Sequence, residues 1–413
     1  MADVRDLTEL RDVDRAVVGK AGRAAGTLTR EGDDVVFRYE DDYLADPLAP
    51  PLAWTLPKSE EPRRATGGAV LPFFAGLLPE GLRLTALQTA TRTSIDDHVT
   101  LLLAVGQDAI GDVTVRPEGE PEAVPTALWQ PGSSTSLREV FAAATSTDPD
   151  VVDRSGLPGV QVKVSALMES TPVATTTGPA ILKLDPQATP GLVRNEHFVM
   201  SMAQACGLLT ARQQLVIDAS GEQGLLVERF DRGVDDGVVR RFAQEDACQV
   251  LGKYPSAKYR ITAQEAFRAL RTVVEAWGGS GSATALRALE LYAFSYLVGN
   301  GDLHAKNLSV GADASGVWAL TPAYDLLCTQ PYLHWKDRMA LPLLGRDSKV
   351  TRRHLRESAE HLGVPVRALD RVLDRMLGYA EPWTARVQEA GMTDSDSERF
   401  ADLLRDRSRE LAG

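Results

Sequence analysis

Between positions 299 and 310 the chain reads GNGDLHAKNLSV. Five polar side chains, Asn300, Asp302, His304, Lys306 and Asn307, crowd into the eight residues 300–307, with apolar sequence on both sides. Polar groups placed between apolar segments must find partners, because an unpaired one costs several kcal/mol. Asp302 and Asn307 stand five positions apart. A carboxylate that takes a hydroxyl proton, followed at that interval by an amide oxygen that binds a hard cation, suits phosphoryl transfer to a hydroxyl. Asp325, in TPAYDLL (321–327), lies eighteen residues beyond Asn307, after a strand-like VWAL and a turn. Oxygen donors without cysteine or clustered histidine suit Mg²⁺.

Such chemistry needs a lobe that holds phosphates. The required parts are a glycine-containing turn, a lysine on a strand and a glutamate on a helix. SGLPGVQVK (155–163) offers Gly156 and Gly159, whose backbones can approach phosphate closely. Lys183 lies in the strand-like ILKL, and Glu196 opens the following helix, placed to hold Lys183. VERFDR (227–232) reads as the connector between two lobes, and its backbone at Glu228 and Phe230 offers a donor and an acceptor for adenine. Taken singly, each piece has a plainer reading. A glycine pair is an ordinary turn, a strand lysine is solvated, His304 is a structural histidine and Asp325 caps a turn. In sequence, however, they follow the order of a protein kinase, whose catalytic loop has the same Asp-to-Asn interval.

The elements that must position these groups fit a chain of 413 residues, long enough for two or three domains. With 44% apolar and 25% charged residues, wholesale disorder is excluded. The net charge of −12 argues against non-specific nucleic-acid binding, which relies on Lys and Arg. Cys206, Cys248 and Cys328 are widely spaced and predict reduced thiols rather than a disulfide framework or zinc site. The charged N-terminal segment lacks the apolar stretch of a signal peptide, and no apolar run spans a membrane, so a cytoplasmic protein is expected.

Alternation at 35–44 predicts a strand, 96–106 a short buried helix and 112–117 another strand. PEGEPEAVPTALWQPGSSTSL (117–137) reads as a linker. Beyond it, 160–168, 180–184 and 224–230 read as strands, with one helix over 195–207. TAQE (262–265) is a capping box, 283–300 is apolar nearly all round and predicts a buried central helix, and 350–363, 365–380 and 394–412 are amphipathic. The expected fold class is α/β (α+β): a bilobal, protein-kinase-like fold with a strand-rich N-terminal subdomain over 1–125, a phosphate-binding lobe over 126–232 and a helical lobe over 233–413.

LPFFAGLLPEGLR (71–83), GVQVK (159–163), ILKL, RNEHF (194–198), LLVERFDR (225–232), QEDACQ (244–249), GNGDLHAKN and AYDLL together resemble the HipA family, the serine/threonine kinase toxins of bacterial toxin–antitoxin systems. The resemblance implies ATP and Mg²⁺, with Asp302 as catalytic base and Asn307 and Asp325 as metal ligands. It assigns Lys183 to the nucleotide phosphates, with Glu196 holding it. Gly159, Val160, Gln161 and Lys163 then belong to the phosphate-binding loop, Glu228 to Phe230 form the adenine hinge, and His304 and Lys306 support the catalytic loop. It implies a HipB-like helix-turn-helix antitoxin through which the acidic chain reaches operator DNA. It also implies a protein substrate among translation components, typically an aminoacyl-tRNA synthetase, and growth arrest or persistence. Family members silence themselves on a serine three residues before the glycine of the GxQ block. Here that place is Gly156, and Ser155 stands one position earlier as the candidate autophosphorylation site; a phosphate there would add about −1.5 to −2 charge beside the nucleotide. Two other readings stay open at this point: a kinase for another protein or a small molecule, and a catalytically silent, antitoxin-bound corepressor. In LPFFAGLLPEG, the residues Phe73, Phe74, Leu77 and Leu78 read as the start of a core helix, and the segment is expected to carry no chemistry.

Overall fold

The computed structural model describes residues 6–121, 136–144, 169–175, 178–186, 189–235 and 238–413. The phosphate-loop candidates Gly159, Val160, Gln161 and Lys163, the candidate Ser155 and the expected strand at 160–168 lie outside the described residues.

The N-terminal unit is an antiparallel sheet. Its strands run in the order Arg63–Ala65, Asp34–Tyr39, Arg23–Glu31, Arg15–Lys20, Val113–Pro117. Side chains from one face, among them Val18, Leu28 and Phe37, pack with Phe74, Leu87, Leu101 and Leu102 into a core of their own. The helix His98–Val105 is buried along almost its whole length, as its continuous apolar run requires. Alternation over 35–44 predicted one strand, but the strand ends at Tyr39 and Asp41–Ala45 is helical. Asp41 and Asp42 fall in the first turn of that helix, where carboxylates suit the positive end of the helix dipole. The buried Tyr43 donates from its hydroxyl to the Pro50 carbonyl (2.8 Å) and anchors the turn.

A second antiparallel sheet follows, ordered Glu169–Thr175, Gly178–Leu184, Gln223–Glu228, Gln213–Ile217. The helix Leu192–Ala205 packs behind it, with Gly207 in the left-handed region just past its end (φ 91°). Its inner residues, including Phe198, Val199 and Met202, join the large core of the helical lobe. One helix was expected in this stretch. A second, Leu137–Ala144, covers the sheet through Leu137 and Val140.

The helical lobe is built round Gly281–Val298, where fourteen residues are buried. Ala263–Ala276, Arg352–His361, Val366–Ala380 and Asp394–Ala412 surround it. The predicted capping box is present: Thr262 Oγ1 accepts from the Glu265 amide (3.2 Å), and Glu265 Oε2 accepts from the Thr262 amide (2.8 Å). A small antiparallel sheet, Gln244–Asp246, Ser309–Ala312 and Trp318–Leu320, brackets the loop that follows the central helix. The N-terminal unit docks on this lobe through the edge of Trp54 against Trp277, 5.9 Å between ring centres. All three cysteines are buried and unbridged, and no described helix is long and apolar enough to cross a membrane.

Candidate active site

The central helix ends at Gly299, whose left-handed backbone (φ 75°) turns the chain sharply into the polar loop. The loop is tied internally. Asn300 Oδ1 accepts from the Asp302 amide (3.0 Å), and Asn307 Nδ2 donates to the Asp302 carbonyl (3.1 Å). Asp302 and Asn307 are thereby locked to each other by the backbone between them, and Asp302, His304, Lys306 and Asn307 are all buried. With its amide nitrogen engaged, Asn307 keeps its side-chain oxygen for another ligand. Asp302 Oδ1 accepts from the Tyr259 hydroxyl (3.0 Å).

Lys183 sits on the strand Gly178–Leu184 and reaches Glu196 on the helix behind, 2.7 and 2.9 Å from Nζ to its two carboxylate oxygens. The same ammonium pairs with Asp325. Asp325 adopts φ 55°, a left-handed conformation that Asp tolerates better than most residues. The chain beyond it is fastened to the sheet lobe: Asn195 donates to the Cys328 carbonyl (2.8 Å) and accepts from the Cys328 amide (2.9 Å). Burial disfavours the Lys183 ammonium, but Asp325 and Glu196 outweigh it and raise its pKa. Burial, with Asp325 adding repulsion, raises the Glu196 carboxyl despite Lys183. One cation shared by two carboxylates leaves negative charge uncompensated.

The connector is rigidly held. Glu228 donates from its amide to Arg212 (2.9 Å) and Arg229 to Pro179 (3.0 Å), while the Phe230 N–H has no protein partner among the described residues. Phe230 packs on Tyr324, 5.7 Å between ring centres. Arg229 forks onto Asp231 (3.0 and 2.8 Å) and reaches both oxygens of Asp108 in the N-terminal unit (3.1 Å each). Arg232 bonds the same two carboxylates.

Lys183, Glu228, Phe230, Asp302, Asn307 and Asp325 line a single cleft between the sheet lobe and the helical lobe, with Glu196 behind Lys183. The N-terminal unit supplies a third wall, which the sequence did not suggest. Glu80, in a segment expected to carry no chemistry, points into the cleft. It ion-pairs with Lys258 (2.5 Å) and with Lys306 of the catalytic-type loop (3.1 Å). Burial would raise its pKa, but Lys306 and Lys258 overcome burial and hold it at about 2. His304, beside them, is pushed down to about 3 by burial and by Lys258, so it is neutral. Lys258 and Tyr259 were likewise missed. No motif marks them, and they reach the site only because their loop packs across the polar segment.

The donor chemistry suits a hard divalent cation: a carboxylate at Asp325, partly exposed to the cleft, and an amide oxygen at Asn307. Among the described residues no three of His, Cys, Asp and Glu gather into a self-contained metal site. Mg²⁺ is ordinarily held by one or two carboxylates together with substrate phosphates and water.

An antiparallel sheet lobe with a buried Lys–Glu pair, set over a helical lobe with an Asp-x₄-Asn loop, defines the bilobal protein-kinase-like class of fold. Two family models match the chain, the HipA N-terminal domain over residues 16–116 and the HipA-like C-terminal domain over residues 155–383. The chain belongs to the HipA family. It is 32% identical over 343 residues to a putative kinase, Y4mE, of Sinorhizobium fredii, covering 78% of each chain. It is 27% identical over 354 residues to the serine/threonine-protein kinase toxin HipA of Shewanella oneidensis, covering 77% of this chain and 79% of that one. The fold matches a chain in the solved complex of Shewanella oneidensis HipA, HipB and operator DNA. The TM-score is 0.72 at 23% identity, over 95% of this chain and 97% of that chain.

Proposed function

We propose that the chain is a HipA-type toxin acting as a protein serine/threonine kinase that uses ATP and Mg²⁺. The observation that carries this reading is the convergence of Lys183, Asp302, Asn307 and Asp325 on one cleft, with Glu196 bracing Lys183. In this reading residues 1–125 form the N-terminal subdomain, 126–232 the phosphate-binding lobe and 233–413 the helical lobe. Adenine lies along the connector, where the Phe230 N–H, without a partner among the described residues, is available as donor and a carbonyl at Glu228 as acceptor. Lys183 binds nucleotide phosphates. Asp302 orients the acceptor hydroxyl and takes its proton, and the Tyr259 hydroxyl fixes one of its oxygens. Asn307 and Asp325 hold Mg²⁺, which when bound offsets charge on the transferring phosphoryl group. Most of the acceleration then comes from positioning and prearranged charge. Gly159, Val160, Gln161 and Lys163 are assigned to the phosphate loop and Ser155 to self-modification on the family resemblance alone.

The relative named as a serine/threonine kinase toxin, and the neighbour solved with HipB and operator DNA, support a HipB-like helix-turn-helix antitoxin as partner. The acceptor is a protein hydroxyl, with an aminoacyl-tRNA synthetase as the family expectation. The test is intact-mass analysis after incubation with Mg²⁺–ATP, beside Asp302→Asn, followed by radiolabel transfer in a lysate with both proteins. Phosphate appearing in either assay with the wild type alone supports a kinase. No transfer in either assay overturns catalysis and leaves a nucleotide-binding corepressor.

A further inference from the structure

The geometry points to Glu80 as a positioning residue of the transfer site, supplied by the N-terminal unit and acting through Lys306 and Lys258. The inference rests on the kinase reading and adds to it a part that no kinase motif contains.

Glu80 is the sole carboxylate in the stretch 71–83, and it is the polar residue there that enters the cleft. Its two oxygens serve different partners, Oε1 facing Lys306 and Oε2 accepting from Lys258. Lys306 also donates to the Gly76 carbonyl (3.2 Å), so one short N-terminal segment grips this ammonium twice. Lys306 lies directly before Asn307 and four residues after Asp302, so fixing its side chain fixes the loop that carries both. Lys258 holds the loop from the other side, since its carbonyl accepts from the Ala305 amide (3.1 Å).

The close approach is built in at Gly76. Its φ of −63° is open to any residue, so backbone freedom does not explain the glycine. A Cβ there would stand 2.7 Å from Gln249 Cγ. Gln249 cannot swing aside freely, because it donates to the Phe73 carbonyl (3.1 Å) and accepts from the Asp246 amide (2.9 Å). The glycine lets the segment lie close enough for Glu80 to reach the loop.

A bland structural counterion would make a different set of predictions. Glu80→Gln keeps the shape, but its amide oxygen serves only one ammonium and its NH₂ group faces the other. With the loop displaced by a fraction of an ångström, kcat should fall roughly 10–100-fold. KM for ATP, set at Lys183 and the connector, should change less than about twofold under the same principle of local positioning. Glu80→Asp restores the charge at shorter reach and should recover a substantial part of kcat. Arg30→Ala breaks the partly buried pair with Asp97 inside the same unit, away from the cleft. It should lower Tm and leave kcat unchanged.

The experiment is steady-state kinetics of the full chain with its lysate-identified substrate, or self-phosphorylation rates, for these three variants and the wild type, with Tm for each. The expected result is loss of kcat in Glu80→Gln at unchanged KM, with recovery in Glu80→Asp. Wild-type kcat in Glu80→Gln overturns the proposal, as does a loss matched by Arg30→Ala at equal Tm. A wild-type protein that transfers no phosphate overturns the kinase reading itself, an outcome distinct from an active wild type with an indifferent Glu80.

Discussion

Two ion clusters of different composition line the cleft. On one side a single ammonium, Lys183, stands between two carboxylates, Glu196 and Asp325. On the other the Glu80 carboxylate stands between two ammoniums, Lys258 and Lys306, and the buried Asp246 adds its charge beside Lys306. Both are largely buried, and burial pushes both carboxyls up. The partner count decides the outcome: Glu196 is raised, and Glu80 is held at about 2. The first cluster is therefore short of a cation, whereas in the second two carboxylates, Glu80 and Asp246, act on the ammoniums. Under the proposed reading the Mg²⁺ of a magnesium–nucleotide complex would supply the cation that the first cluster lacks.

Asp302 lines the same cleft as both clusters. Asp302→Asn keeps the loop's hydrogen-bond frame but removes the base, and phosphate transfer should fall about 10²–10⁴-fold. Mass analysis with labelled ATP measures this. Transfer at the wild-type rate would mean that the polar loop is scaffolding.

Lys183→Met attacks the cation-poor cluster. It leaves Glu196 and Asp325 together without their shared cation, and breaking a buried pair from one side costs about 3–5 kcal/mol. Urea unfolding should show that loss, and millimolar Mg²⁺ should restore part of it by taking the vacated place. An effect indifferent to Mg²⁺ would argue that Asp325 does not bind metal. A gentler version is Asp325→Asn. Asparagine tolerates the left-handed backbone at this position, whereas Ala would add conformational strain. ATP should still raise Tm in this variant, but the increment added by Mg²⁺ should vanish; at 100 times Kd that ligand linkage amounts to about 2.7 kcal/mol.

The two clusters also differ in how far the sequence announced them. Asp302 and Asn307 are legible because their interval is fixed by one local loop. Lys183 and Glu196 are legible because strand and helix are consecutive, thirteen residues apart. The central helix showed itself by its apolar continuity, and the helix at 263 by its capping box. Glu80 was invisible because its neighbours, Phe73, Phe74, Leu77 and Leu78, do read as core and are buried as core. Its meaning lies in contacts to Lys258, 178 residues away, and to Lys306, which only docking of the N-terminal unit creates. The strand misjudged at 40–44 failed for a similar reason. Alternation over a few residues does not distinguish a strand from a short helix held by one buried tyrosine.

Glu245 is a third case, a buried carboxyl with no ion-pair partner among the described residues. It is 3% exposed, and burial pushes its pKa to about 7. Its Oε1 accepts from the Trp54 amide (2.8 Å), while Lys20, whose charge favours the ionised form, is paired with Asp112. A carboxyl raised above its ordinary value near 4.5 binds more protons in the folded chain than in the unfolded one. Its stabilising contribution is thus full below about pH 4.5 and lost as pH climbs through about 7. Glu245→Gln keeps the acceptor for Trp54 and has nothing to ionise. Relative to wild type it should gain on the order of 2 kcal/mol in urea unfolding between pH 5 and pH 8. The sign is opposite to that of Glu80, whose contribution is full above about pH 4.5 and lost as pH falls towards 2. If Glu245→Gln were equally destabilising at both pH values, Glu245 would be a charged, paired group.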